Sequence, residues 1–168
     1  MAIPITRREQ CLRNVKTLLE GITIANGYFT TIGLVERVLR GYQDPIVLTT
    51  LRSGPWLGFS PGVREVPDYF GGNLSHNLIT GLIVTYISVA SSGDSAGATT
   101  QADEVLSAWL DALEVRTGLD PTLSRYAIRF QLMGRTTNEG VIHDSGIWIK
   151  AAEIDFELEY ERSMQSST

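Results

Sequence analysis

The stretch EIDFELEYE, residues 153–161, alternates acid and apolar side chains without a break. Glu153, Asp155, Glu157, Glu159 and Glu161 could ligate a metal, share general acid–base work, or build an electrostatic wall. On an extended strand, neighbouring carboxylates of one face stand ~6.6 Å apart, at ~3.3 Å per residue. That is too far for two neighbours to clamp one calcium ion at ~2.4 Å, and no EF-hand pattern accompanies them. Glycosidases place carboxylates at similar separations, but in a cleft that nothing in this sequence predicts. Two readings remain. One is a plain solvated strand face. The other is a surface turned toward a polyanion that must not stick, since affinity for nucleic acid comes from cations neutralising phosphates.

Other reactive residue types are sparse. Gly58-Phe59-Ser60-Pro61-Gly62 matches the G-x-S-x-G form of a nucleophile elbow. That motif needs a buried strand before it and a helix after it, whereas this copy sits in a Pro- and Gly-rich stretch. His76 and His143 are the only histidines and Cys11 the only cysteine, so no zinc spacing exists. No P-loop or dinucleotide fingerprint occurs. The sequence therefore assigns no catalytic residue, no metal ligand and no cofactor, and reads as a non-enzyme. A small enzyme working through the carboxylates or Ser60 is the alternative from another class. A nucleic-acid module using Arg7, Arg8, Arg13 and Lys16 is a third, opposed by the net charge of −5.

These residues need elements to hold them. Thr6-Arg7-Arg8-Glu9 has the form of a capping box, and Leu12, Val15, Leu18, Leu19 and Ile22 recur at helical spacing. They predict a helix over 6–22. A strand follows over 28–39 and another over 45–51. Residues 52–73 hold three prolines and five glycines, which predicts a long loop rather than a core element. Its Trp56, Phe59, Tyr69 and Phe70 suit contact with a neighbouring subunit or layer, as do Arg7 and Arg8 at the N-terminal helix. LITGLIVTYISVA, 78–90, reads as a central strand. SSGDSAGATT, 91–100, reads as a flexible polar loop. Val105, Leu106, Trp109, Leu110 and Leu113 then form the apolar stripe of a second helix, stopped near Gly118. Strands over 125–134 and 146–161 close the chain. The expected fold is α+β: a single domain over 1–168, with a mostly antiparallel sheet and two helices packed on one face. The last strand then turns Ile154, Phe156, Leu158 and Tyr160 to the core and its five acids away.

Bulk properties narrow the classes further. A chain of 168 residues with 43% hydrophobic composition can bury one sizeable core. No apolar run reaches the ~20 residues of a membrane span, and MAIPITRREQ lacks the apolar core of a signal peptide, so no membrane partner is expected. The lone cysteine suggests synthesis in a reducing compartment. Charge is uneven: residues 1–40 carry net +3 and residues 101–168 net −6, a polarity that suits head-to-tail packing of copies.

One resemblance adds to this. The helix ending in Leu19 and Ile22, then Asn26-Gly27-Tyr28, then FTTIGLVERV with Val35 and Arg37, resembles the start of tail terminator proteins of tailed bacteriophages, also called tail completion or minor tail proteins. The order of elements over 75–161 agrees in outline. The resemblance implies a structural virion protein made in the bacterial host cytoplasm. Such proteins form a homohexameric ring that caps the tail tube protein, meets neck or connector proteins, and passes DNA without binding it specifically; a sheath protein is a further candidate partner. It would place the acids of 153–161 at the ring lumen. Another head–tail joining component of the neck is the alternative within the virion.

Overall fold

In the computed structural model, residues 5–27, 38–40, 54–70, 74–90, 95–138, 141–142 and 147–163 are described. Helix α1 runs Arg7–Glu20, a single 3₁₀ turn Ile24–Asn26 follows, and strand β1 is Val38–Arg40. Strands β2, Gly54–Phe70, and β3, Leu74–Ala90, precede helix α2, Ser95–Leu119. Strands β4, Arg129–Thr137, β5, Val141–Ile142, and β6, Ile147–Ser163, complete the order. The sheet runs β1-β2-β3-β6-β4, with β5 also on β6. Among the described strands only β1 pairs in parallel, with β2. The fold is α+β with a mostly antiparallel sheet, and both helices pack on it.

Helix α1 forms where its stripe and cap direct it. The Thr6 hydroxyl accepts from the Glu9 amide at 3.2 Å, satisfying one of the donors a helix start leaves open. Cys11, Leu12, Val15, Leu18 and Leu19 are its buried face. Gly27 closes the next turn at φ 86, in the left-handed region where glycine carries no Cβ penalty. Tyr28 and the rest of the expected strand up to residue 37 lie outside the described residues, as does 45–51. Helix α2 contributes Ala102, Leu106, Trp109, Leu110 and Leu113. The two stripes meet Leu57 and Phe59 of β2, Ile79 and Ile83 of β3, Phe130 of β4, and Ile154, Phe156, Leu158 and Tyr160 of β6 in one core. Each large apolar side chain so buried adds about 1.5–3 kcal/mol relative to exposure.

Two expectations are corrected. Residues 52–73 are not a loop over most of their length, because Gly54–Phe70 is a strand paired with β3 at Gly54–Pro61 and again at Glu65–Phe70. Among the described residues β2 has a partner on its other side only at Leu57, Gly58 and Phe59. The register shifts between Pro61 and Glu65, and Gly62 sits so close to β3 that a Cβ would lie 2.0 Å from the Thr80 carbonyl oxygen. The glycines that suggested a loop permit a bulge and a close approach instead.

The second correction concerns 91–100. Helix α2 starts at Ser95, not near Thr100. Gly97 costs about 1 kcal/mol against Ala, which a 25-residue helix absorbs once it has nucleated, and Ala96 and Ala98 favour the helix. Residues 91–94 lie outside the described part.

Candidate functional site

Alternation along β6 does what period two requires. Ala152, Ile154, Phe156, Leu158 and Tyr160 are buried, while Glu153, Asp155 and Glu161 are exposed and Glu157 and Glu159 half-buried. All five acids therefore share the sheet face that the helices leave open. Because β6 is an inner strand, that face is shaped by both neighbours. On β3, His76, Leu78, Thr80, Leu82 and Val84 lie opposite Glu161, Glu159, Glu157, Asp155 and Glu153. On β4, Arg129, Gln131, Gly134 and Thr136 lie opposite Glu159, Glu157, Asp155 and Glu153.

The row of acids is thus not uniform. Arg129 forms an ion pair with Glu159 and reaches Glu157 at 3.7 Å. His76 Nε2 stands 3.6 Å from Glu159 Oε2, and Gln131 Nε2 donates to Glu157 Oε2 at 3.3 Å. Glu159 keeps only 18% of its side-chain exposure and Glu157 23%, so these contacts form in a partly desolvated setting where they count for more. Glu153 and Asp155 have no cation partner among the described residues. The register shift between Leu132 and Gly134 puts a glycine, with no side chain, beside Asp155. The row is therefore partnered in the middle, at Glu157 and Glu159, while Glu153 and Asp155 at one end and Glu161 at the other are exposed and have no cation partner among the described residues.

The remaining candidates separate. Ser60 lies inside β2, opposite Leu82, and its hydroxyl donates to the Pro61 carbonyl at 3.4 Å. His76 is six residues further along β3 from Leu82, ~20 Å away at strand rise. The strand–turn–helix of a nucleophile elbow is absent at this position, and no base reaches Ser60 among the described residues. His143 lies outside them. Among the described residues no three His, Cys, Asp or Glu side chains gather as a metal site. No described helix is long and apolar enough to cross a membrane.

Phe59 is fully buried in the core, so it is unavailable to a second subunit. Trp56, Tyr69 and Phe70 belong to β2, in register with Tyr86, Ser75 and Leu74. Arg7 donates through Nη2 to the Arg125 carbonyl at 2.9 Å and lies 5.2 Å from the Tyr126 ring centre. Arg8 is half-buried on α1. A cleft of about 310 Å³ opens between α2 and β4, lined by Leu110, Leu113, Leu132, Met133 and Ile154, with Glu114 and Arg135 paired at 3.1 Å on its rim. It carries no nucleophile with a base.

Sequence reasoning missed Arg129, Gln131 and His76 as partners of the acids. No signal in the chain announces them, because they come from strands whose register is set by the whole sheet. It also missed the connection before β4, where Leu123, Ser124 and Arg125 take φ 49, 57 and 71. Asp120-Pro121 is the available signal there, a turn-initiating pair. The Asp120 carboxylate accepts from the Ser124 amide at 2.9 Å through each oxygen. No family model matches the chain, and no curated protein matches it.

Proposed function

We propose that the chain is a ring-forming structural subunit of a phage virion, of the tail terminator kind, capping the tail tube and joining it to the neck. The observation that carries this reading is the two-sidedness of the sheet. One face is closed by α1 and α2, and the other presents a row of carboxylates of which Glu153 and Asp155 are exposed without a cation partner. Such a face denies phosphates the cations they need and lets DNA slide past. In this reading the lumen is lined by Glu153, Asp155 and Glu161 rather than by all five acids, since Glu157 and Glu159 are engaged within the sheet. The protein does no chemistry and holds no cofactor. Its partners are its own copies, the tube end and the neck.

Mass measurement of the native assembly tests this. A closed ring of six copies is the expected result. A monomer that persists at high concentration, both alone and with tail tubes added, would contradict it.

A further inference from the structure

Strand β4 ends the sheet on its side, since it pairs with β6 and with no other described strand. Its hydrogen bonds show which backbone groups face outward. The Asn138 amide donates to the Ala151 carbonyl at 3.1 Å, so that position bonds to β6. Bonded and non-bonded positions alternate along an antiparallel pair, which turns the Thr136 amide toward β6 and the amides of Arg135 and Thr137 away from it. Edges left to solvent are commonly blunted by lysine, proline or a bulge. The first half of β4 has such guards, in Arg129 and in the register shift between Leu132 and Gly134. Residues 134–137 hold no lysine and no proline, and their one charge, Arg135, is drawn to Glu114 of α2. The cleft of about 310 Å³ lies along this same strand, on the helix side, with Leu113, Leu132 and Ile154 in its lining and Met133 54% exposed beside them. Outward amides next to an apolar cleft are what an added strand needs.

The other end of the sheet carries β1, which also has a described partner on one side only. Leu39 pairs with Gly58, between the core positions Leu57 and Phe59, so position 39 belongs to the open face. Helix α1 covers this end, with Arg40 tied to Glu9 at 2.7 Å. The strand directions decide what the two edges can do together. β1 runs with β2, and each later step, from β2 to β3, β3 to β6 and β6 to β4, reverses the chain. Three reversals leave β4 antiparallel to β1. In a ring with the open face inward and the strands along its axis, one rotation repeats the copies. It sets β4 of one beside β1 of the next, and their directions stay opposed. Pairing β4 with another β4 requires a two-fold axis, which makes a dimer instead of a ring.

We infer that the β4 edge of one copy is extended by the β1 edge of the next, so that the sheet runs on antiparallel from copy to copy and the neighbour's α1–β1 end closes the cleft. This rests on the ring reading above and names its subunit contact. The contact is heterologous, the kind that closes into rings. It uses the edges of the sheet and leaves the acids of the open face toward the lumen.

Two experiments on the full-length chain test the inference. The first reads native mass over a dilution series. Thr137→Pro removes an amide that points away from β6, so the ladder within the subunit stays whole and circular dichroism should show the variant folded. Its concentration at half-assembly should rise by about tenfold or more. The second joins copies with a short bismaleimide. A chain carrying Thr136→Cys and Leu39→Cys, both at open-face positions, should give covalent species larger than a dimer. Thr136→Cys alone should give none, since Cys11 is fully buried. Unchanged assembly of folded Thr137→Pro overturns the inference and leaves the ring standing, and so does an assembled double variant that yields only monomer. Dimers from Thr136→Cys alone overturn it as well, because they show β4 beside its own copy. Should Thr137→Pro fail to fold, the crosslinks decide. A wild-type chain that never assembles overturns the ring and the contact together.

Discussion

Gly81 and Phe156 face each other across β3 and β6, and the phenyl ring fills the space a side chain at 81 would take. A Cβ at Gly81 would lie 2.3 Å from Phe156 Cζ and 2.7 Å from the Ser60 carbonyl oxygen. On its other side the ring meets Phe130, with centroids 5.5 Å apart. Phe156 is therefore clamped between a missing side chain and an aromatic neighbour. Gly81→Ala should destabilise the fold by about 1–3 kcal/mol through overpacking. Adding Phe156→Leu should cost less than the two single changes summed, because they share one volume. Urea unfolding of the two singles and the double checks this; strict additivity would show that the clamp is not real.

The left-handed run Leu123-Ser124-Arg125 stores strain that Asp120 holds in place. Left-handed backbone costs roughly 1–2 kcal/mol for an ordinary residue. Ser124→Gly should therefore stabilise the fold or leave it unchanged, whereas Asp120→Ala should destabilise it by about 1 kcal/mol by removing the carboxylate that the exposed Ser124 amide donates to. Thermal melts decide. Equal destabilisation by both changes would mean that the Ser124 side chain, not the backbone, matters there.

Much of the fold can be read from the chain, and the reasons are local. The stripe of α1, the core of α2 and the alternation of β6 are set by residues within one element, so period alone places them. β2 differs from the expected loop because its Pro- and Gly-rich composition is a local signal, whereas its pairing with Leu74–Ala90 and the close approach of Gly62 to Thr80 depend on a strand further along the chain. The site was half readable. That the five acids share a face follows from spacing, but that Arg129 pairs with Glu159 and His76 stands beside it depends on strands 30 or more residues away in sequence, through a register no local pattern encodes.

Cys11 is fully buried, and burial pushes its thiol up to about 11 from an ordinary 9.0, against the opposing pull of Arg7. A raised folded-state value means the contribution is whole below pH 9.0 and is lost as pH rises toward 11. The difference in stability between wild type and Cys11→Ala should stay flat to pH 9.0, then shrink by about 2 kcal/mol toward pH 11. Native alkylation should be slow over the flat range. Rapid labelling at neutral pH would contradict the buried thiol.

Arg129 neutralises the middle of the acid row, at Glu157 and Glu159. Arg129→Met should bare Glu157 and Glu159 and cost about 1 kcal/mol, more at low salt than at high. Glu153→Gln with Asp155→Asn should cost nothing, or stabilise slightly at low salt, because those two carboxylates repel without a partner. Stability measured at two ionic strengths separates the cases; equal effects of the two changes would mean the row is uniformly solvated.

Phage from which this protein has been deleted give the most direct test of its proposed role, by electron microscopy of the tails they make. If the chain caps the tube, those tails should be of abnormal length or should stay unjoined to filled heads, and supplying the protein in trans should restore normal particles. Tails of normal length, joined to heads in the absence of the protein, would contradict the terminator reading.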